Sequence, residues 1–314
     1  MKFKTLALAT LLGLTTSFAV SAQVTFNYKD QNIQLKKVPK KIAVYDLSAL
    51  DTLNALGLEA QLVPAASYTG HLAKYQQDKF IKAGSLFEPD VNALKAAKPD
   101  LIIVGGRSTS KSDTVKDIAP TLNLSPNTEQ YIADLTERTH VLARAFGKEK
   151  IATEKLDKIS ALQQQLKKQT EGKTALMLFA VGDNFMPHAE NDRFGFIYEL
   201  AGLKPVVDPS EKSDAPRPEA GSPEALKAAE KNVQRIAAAV EKNPNYIIVL
   251  DRGAVNTQKY TAQDNIQKHP ALKNAKALTE KKVIYVNADA WYLTGAGLDN
   301  TAFMLEELIK GTTH

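Results

Sequence analysis

Apolar residues along the chain fall into two alternating patterns. Lys41-Ile42-Ala43-Val44-Tyr45 and Leu101-Ile102-Ile103-Val104 are nearly unbroken apolar runs, as expected of strands covered on both faces of a parallel sheet. Between them, Leu47, Leu50, Leu53 and Leu56 recur at helical spacing and stop at Gly57, and Val91–Ala97 reads as a second helix, broken by Pro99. These strand–helix units predict an α/β lobe.

From Lys148 to Thr170 the apolar positions Ile151, Leu156, Ile159, Leu162 and Leu166 are set among charges, with Gly147 before and Gly172 after. The spacing predicts one uninterrupted helix, on the order of 35 Å long. That suits a bridge between two lobes, although a long surface helix inside one domain would carry the same pattern. A second set follows: a strand over Ala175–Val181, a helix around Phe196–Leu200, strands at Tyr246–Leu250 and Val283–Val286, and a closing helix over Thr301–Ile309. The fold class expected is therefore α/β, two α/β lobes with mainly parallel sheets joined by a single long helix. The boundaries are an N-terminal lobe over 23–145, the linking helix over 146–171 and a C-terminal lobe over 172–314. The aperiodic, charged stretch Asp208–Gly221 predicts an exposed loop, and Ser222-Pro223 an N-cap followed by Pro in the first helical turn.

One segment occurs in both halves. Lys98-Pro99-Asp100-Leu101-Ile102-Ile103-Val104-Gly105-Gly106-Arg107 matches Asn243-Pro244-Asn245-Tyr246-Ile247-Ile248-Val249-Leu250-Asp251-Arg252 without a gap at Pro, Ile, Ile, Val and Arg. In each copy the Arg follows the carboxyl end of a buried parallel strand, where open α/β sheets place their ligand groups. Two facing lobes would aim Arg107 and Arg252 into a shared cleft; chance repetition of a common strand type is the alternative.

The amino terminus changes the compartment. Lys2 and Lys4, an apolar run from Leu6 to Val20 and the small-residue ending Val20-Ser21-Ala22 predict a secretory signal over 1–22, cut after Ala22. The run is short for a membrane span, and no later segment is long and apolar enough to cross one. Cys is absent, which excludes a lipidated Cys, thiolate metal clusters, Cys nucleophiles and disulfides. A free, monomeric periplasmic protein is expected. The net charge of +5, made of 40 Lys and Arg against 35 Asp and Glu, includes Lys2 and Lys4 and forms no basic stripe, so a nucleic-acid partner is not expected.

Enzyme signatures are missing. The five His make no H-E-x-x-H pattern, there is no G-x-S-x-G elbow, and Gly295-Ala296-Gly297 lacks the third glycine of a dinucleotide turn. Gly105–Ser112 resembles a phosphate loop but has Ser110 where the second Gly is needed. The chemistry instead rests on Arg107, Arg193 and Arg252, whose forked donors fit paired oxyanions, and on Trp291-Tyr292 beside a glycine turn. The turn places a ring at a mouth, although standing alone such a pair serves packing more often. A trivalent cation would favour the phenolate of Tyr292, a hard oxygen donor. One Tyr cannot hold iron alone, so the metal would arrive already chelated.

At these residues the chain resembles the periplasmic binding proteins of the iron–siderophore type, and most nearly the subgroup that takes up catecholate siderophores. The resemblance runs over the whole mature chain and is carried by Trp291-Tyr292-Leu293, Arg193-Phe194-Gly195-Phe196, Asp251-Arg252, Gly105-Gly106-Arg107 and Glu88-Pro89-Asp90. It implies a rigid pair of lobes with the ligand between them, no catalytic residues and no intrinsic cofactor, with Fe(III) bound as a siderophore complex. It also implies that Arg107, Arg193 and Arg252 hold catecholate oxygens, that Tyr292 coordinates iron, and that Glu88 docks on an inner-membrane ABC permease. Trp291 would stand with the ligand-binding residues. The position where the resemblance calls for a matching C-lobe docking acid holds Ala237.

One departure stands out. The subgroup often completes the iron shell with a His in the loop corresponding to Asp208–Gly221, and this sequence has none there. Water or Tyr292 alone could complete the shell, another His such as His71 or His188 could reach in, or the cargo could be a chelate needing no further donor. A haem, cobalamin or bare-metal receptor on the same scaffold, and an exported α/β hydrolase or isomerase, are the competing readings.

Overall fold

The computed structural model describes residues 23–209, 218–219 and 221–313. The expected signal segment and most of the 208–221 loop lie outside the described residues. The chain begins with a hairpin, β1 (Val24–Tyr28) and β2 (Gln31–Leu35), paired antiparallel. Next come β3 (Ile42–Val44), α1 (Leu47–Ala55), β4 (Leu62–Val63), β5 (Ile81–Lys82), α2 (Val91–Ala97), β6 (Leu101–Val104), α3 (Ser112–Val115) and β7 (Thr121–Asn123). These strands form a five-stranded sheet in the order β5-β4-β3-β6-β7, parallel throughout. The order reverses between β3 and β6, so a crevice opens beyond their carboxyl ends.

Two helices then lead out of this sheet, α4 (Tyr131–Phe146) and α5 (Glu149–Gln169), separated by Gly147 at φ 64°. The positive φ ends α4 at no steric cost to a residue without a Cβ. The expected helix over Lys148–Thr170 is thus present as α5, preceded by a partner helix that is not among the expected elements.

The second half contains β8 (Thr174–Val181), β9 (Asn184–His188), α6 (Phe196–Ala201), β10 (Lys204–Pro205), α7 (Pro223–Glu241), β11 (Tyr246–Asp251), α8 (Ala262–Ile266), α9 (Lys276–Thr279), β12 (Val283–Tyr285) and α10 (Leu298–Gly311). Its sheet runs β10-β8-β11-β12 in parallel, with β9 folded back antiparallel on β8. Every residue of β6 and β11 is buried, which is why both read as unbroken apolar runs. At α7, Ser222 accepts the Ala225 amide and Pro223 opens the first turn, as the sequence suggests.

The main core is shared by both sheets. One apolar cluster takes in residues from Val24 to Ala145 in the first half and from Ala175 to Leu308 in the second, and α5 adds Ala152, Ile159 and Leu166 between them. Smaller clusters fill the outer face of each sheet. Across the seam, Tyr131 of α4 stacks on Phe196 of α6 with ring centroids 4.8 Å apart, and its hydroxyl lies 3.0 Å from that of Thr301 on α10. Among the described residues no helix is long and apolar enough to cross a membrane.

Candidate functional site

The two repeated strands end in the same way and at the same place. After β6, Gly105 leaves room for Asp46: a Cβ there would sit 3.0 Å from the Asp46 side chain. Gly106 turns with φ 50° into a 3-10 turn that carries Arg107. After β11, buried Asp251 accepts the Gly253 amide at 2.9 Å and the Ala262 amide at 2.8 Å, shaping the turn that carries Arg252.

A third turn presents Arg193. Its geometry depends on Gly195, whose added Cβ would collide with the Glu190 carbonyl oxygen. Asp192 closes the same turn by accepting the Ala189 amide at 2.8 Å.

All three guanidinium groups meet one phenol. Tyr292 lies on a single π-helical turn, Asp289–Thr294, between β12 and α10. Such turns recur at functional sites because the wider spacing re-aims side chains. The guanidinium carbons of Arg252, Arg193 and Arg107 stand 4.6, 4.8 and 5.4 Å from the centre of the Tyr292 ring. Phe179 and Phe194 pack on the same ring, with centroids 5.8 and 6.4 Å away. Arg107 also donates from Nη2 to the Tyr292 carbonyl at 2.7 Å and from Nη1 to the Leu293 carbonyl at 3.4 Å, so it reaches from one lobe to the other.

The charges alter one another. Burial alone would push the pKa of Tyr292 up, but the hydrogen bond from Arg252 and the charges of Arg193 and Arg252 outweigh it and leave the phenol below its ordinary value. Arg107 is lowered by burial and by the charge of Arg193, against the opposing influence of Tyr292 and Asp46. The cleft, of about 180 Å³, has walls from both lobes, including Asp46, Arg107 and Tyr131 on one side and Arg193, Phe194 and Tyr292 on the other. A larger hollow of 420 Å³ lies beside α7, away from the phenol, and is lined by Lys231, Arg235 and Lys242. Volume alone therefore does not locate the chemistry.

Two of the expected residues lie away from this cleft, and Trp291 lines it from below. Trp291, only 2% exposed, lines the cleft floor: it stacks on Phe196 at 5.7 Å and donates from Nε1 to Glu307 at 2.7 Å. His71 does not border this cleft. It lies on the 3-10 turn Gly70–Gln76 and lines a separate cavity of 300 Å³ with Asp51, Gln258 and Asn300. His188 sits behind the aromatic wall, edge-on to Phe194 at 5.1 Å, and burial lowers it to about 4, so it is neutral near pH 7.

Glu88 is on an exposed turn pinned by Ser85, whose hydroxyl accepts the Glu88 amide at 3.0 Å, and its carboxylate pairs with Lys111 at 2.6 Å. The 208–221 loop, where the subgroup often carries a His and this sequence has none, falls mostly outside the described residues. Sequence reasoning misses Asp46 and Phe179. Asp46 follows a buried strand directly, a usable signal, whereas Phe179 looks like any other strand residue. Among the described residues, no group of three His, Asp or Glu is placed to hold a metal ion.

Residues 42–290 match the periplasmic binding protein family. The chain belongs to that family. Among its relatives, the petrobactin-binding protein YclQ of Bacillus subtilis is 29% identical over 297 residues, covering 92% of this chain and 88% of its own. The crystal structure of YclQ superposes with a TM-score of 0.80 at 27% identity, over 94% of this chain and 100% of that one. The ferric-anguibactin-binding protein FatB of Vibrio anguillarum is 25% identical over 283 residues, 87% of this chain and 82% of its own. The periplasmic catecholate-siderophore binding protein VctP of Vibrio cholerae has a TM-score of 0.77 at 25% identity, over 91% of this chain and 99% of that one.

Proposed function

We propose that this periplasmic binding protein captures a ferric siderophore, most readily one that presents catecholate oxygens, and delivers it to an ABC importer. The observation that carries this reading is the convergence of Arg107, Arg193 and Arg252 on the ring of Tyr292. Three cations repel a bare metal ion but attract a chelate whose outward oxygens are negative. A phenol already biased toward its ionised form is a ready hard donor to iron(III). The siderophore supplies the remaining donors, so no resident metal cluster is required. The protein acts as a receptor, not as a catalyst, and works in the periplasm as a monomer. Glu88, on its pinned exposed turn, is the proposed contact with the permease.

Titration with a ferric bis-catecholate tests the reading. Binding should bring a visible tyrosinate-to-iron charge-transfer band and quench Trp291, the only Trp in the chain. Binding without any change in the visible band on Tyr292→Phe removes the phenol from the metal.

A further inference from the structure

The segment that carries the phenol belongs to the C-terminal lobe by connectivity, yet side chains of the N-terminal lobe hold it. Besides Arg107, two fully buried groups do so. Arg138 of α4, 1% exposed, donates from Nη2 to the Ala296 carbonyl at 2.9 Å. Asp51 of α1, also 1% exposed, accepts the Asn300 amide at 3.0 Å.

Each anchor is held in its direction. Arg138 is aimed by Asp134, which accepts its Nε at 2.7 Å and is itself held by the Tyr28 hydroxyl at 2.9 Å and the Asn127 amide at 3.0 Å. Asp51 replaces a missing cap. Gly297, the N-cap of α10, has no side chain to accept an amide, and the carboxylate that does so comes from the opposite lobe. The fit leaves no slack: a Cβ on Gly297 would lie 2.5 Å from Asp51 Oδ2. The same carboxyl group faces the 300 Å³ cavity that His71 and Gln258 also line.

We infer that Asp51 and Arg138 are positioning residues, which register the tyrosine-bearing segment of one lobe against the other and thereby fix where the Tyr292 oxygen meets a bound iron chelate. This rests on the proposed role of Tyr292 as an iron donor. The anchors at Ala296 and Asn300 follow the phenol closely along the chain, and Asn300 Nδ2 ties the intervening backbone by donating to the Ala290 and Gly295 carbonyls at 2.9 and 2.7 Å. A shift at the anchors therefore propagates to the π-helical turn.

The test compares Asp51→Ala, Asp51→Asn and Tyr292→Phe in the full protein, each titrated with a ferric bis-catecholate and followed in the visible. Asp51→Ala should shift or weaken the charge-transfer band and reduce affinity about five- to tenfold. Asp51→Asn, whose amide oxygen still accepts from Asn300, should recover most of both. A wild-type band and affinity in Asp51→Ala overturns the inference. A band that survives Tyr292→Phe overturns the reading beneath it instead. Near-UV circular dichroism establishes that the variants are folded; should Asp51→Ala not fold, Gly297→Ala disturbs the same contact from the other side, and an unshifted band there is equally decisive against it.

Discussion

Phe179 and Tyr292 lie almost parallel, with 8° between their ring planes and centroids 5.8 Å apart. Phe179 belongs to β8, in the middle of the C-terminal sheet, so the plane of the phenol is set by a strand and not by a loop. Tyr292→Phe keeps this stack and removes only the oxygen. The expected result is a folded protein that loses the charge-transfer band and binds the ferric chelate more weakly. Ultraviolet titration of the free protein should find one phenol ionising below the ordinary range, and Arg252→Ala should move it back up. No difference between the two proteins would separate Arg252 from the phenol's ionisation.

Arg193→Ala and Arg252→Ala are each expected to weaken chelate binding by roughly 1.5 to 3 kcal/mol, the range for a hydrogen bond to a charged group. Because Arg193 is exposed, its share should decline with added salt more steeply than that of half-buried Arg252. Affinities measured at low and at physiological ionic strength check both statements.

Gly195→Ala should destabilise the turn that presents Arg193. The new methyl would run into the backbone oxygens of Glu190 and Ala189, and backbone cannot swing aside as a side chain can. Overpacking of this kind costs about 1 to 3 kcal/mol. A lowered thermal midpoint together with weaker chelate binding is the expected outcome.

Stability should depend on pH through Asp51. Burial holds its carboxyl up at about 7, against the ordinary 3.8. The folded protein therefore keeps a proton that the unfolded chain releases, and stability falls as pH rises from about 4 to 7 before levelling off. Asp51→Asn has no such titration. Its stability relative to the native protein should increase across that window by up to roughly 4 kcal/mol, measured by urea unfolding at two pH values, one near each end of it. A difference that stays flat between the two would contradict the assignment.

Much of this is legible in the sequence because the buried strands announce themselves. β6 and β11 are buried at inward and outward positions alike, and the Arg that follows each one marks the cleft edge. The hairpin β1–β2 is not legible: only alternate residues of β1 are fully buried, and its partner strand is polar. Nor is α4, whose stripe includes buried Asp134 and Arg138, charges that pattern reading assigns to the surface. His71 escapes for a related reason. A loop residue near the seam can face either side of it, and only the packing of the Gly70–Gln76 turn decides which.

The apolar cluster that passes without interruption from the first sheet to the second welds the halves into one body. Swinging the halves apart would wet residues such as Tyr131, Phe196 and Leu298, all now dry. A shared dry core of this kind predicts that heat melts both halves in a single calorimetric peak.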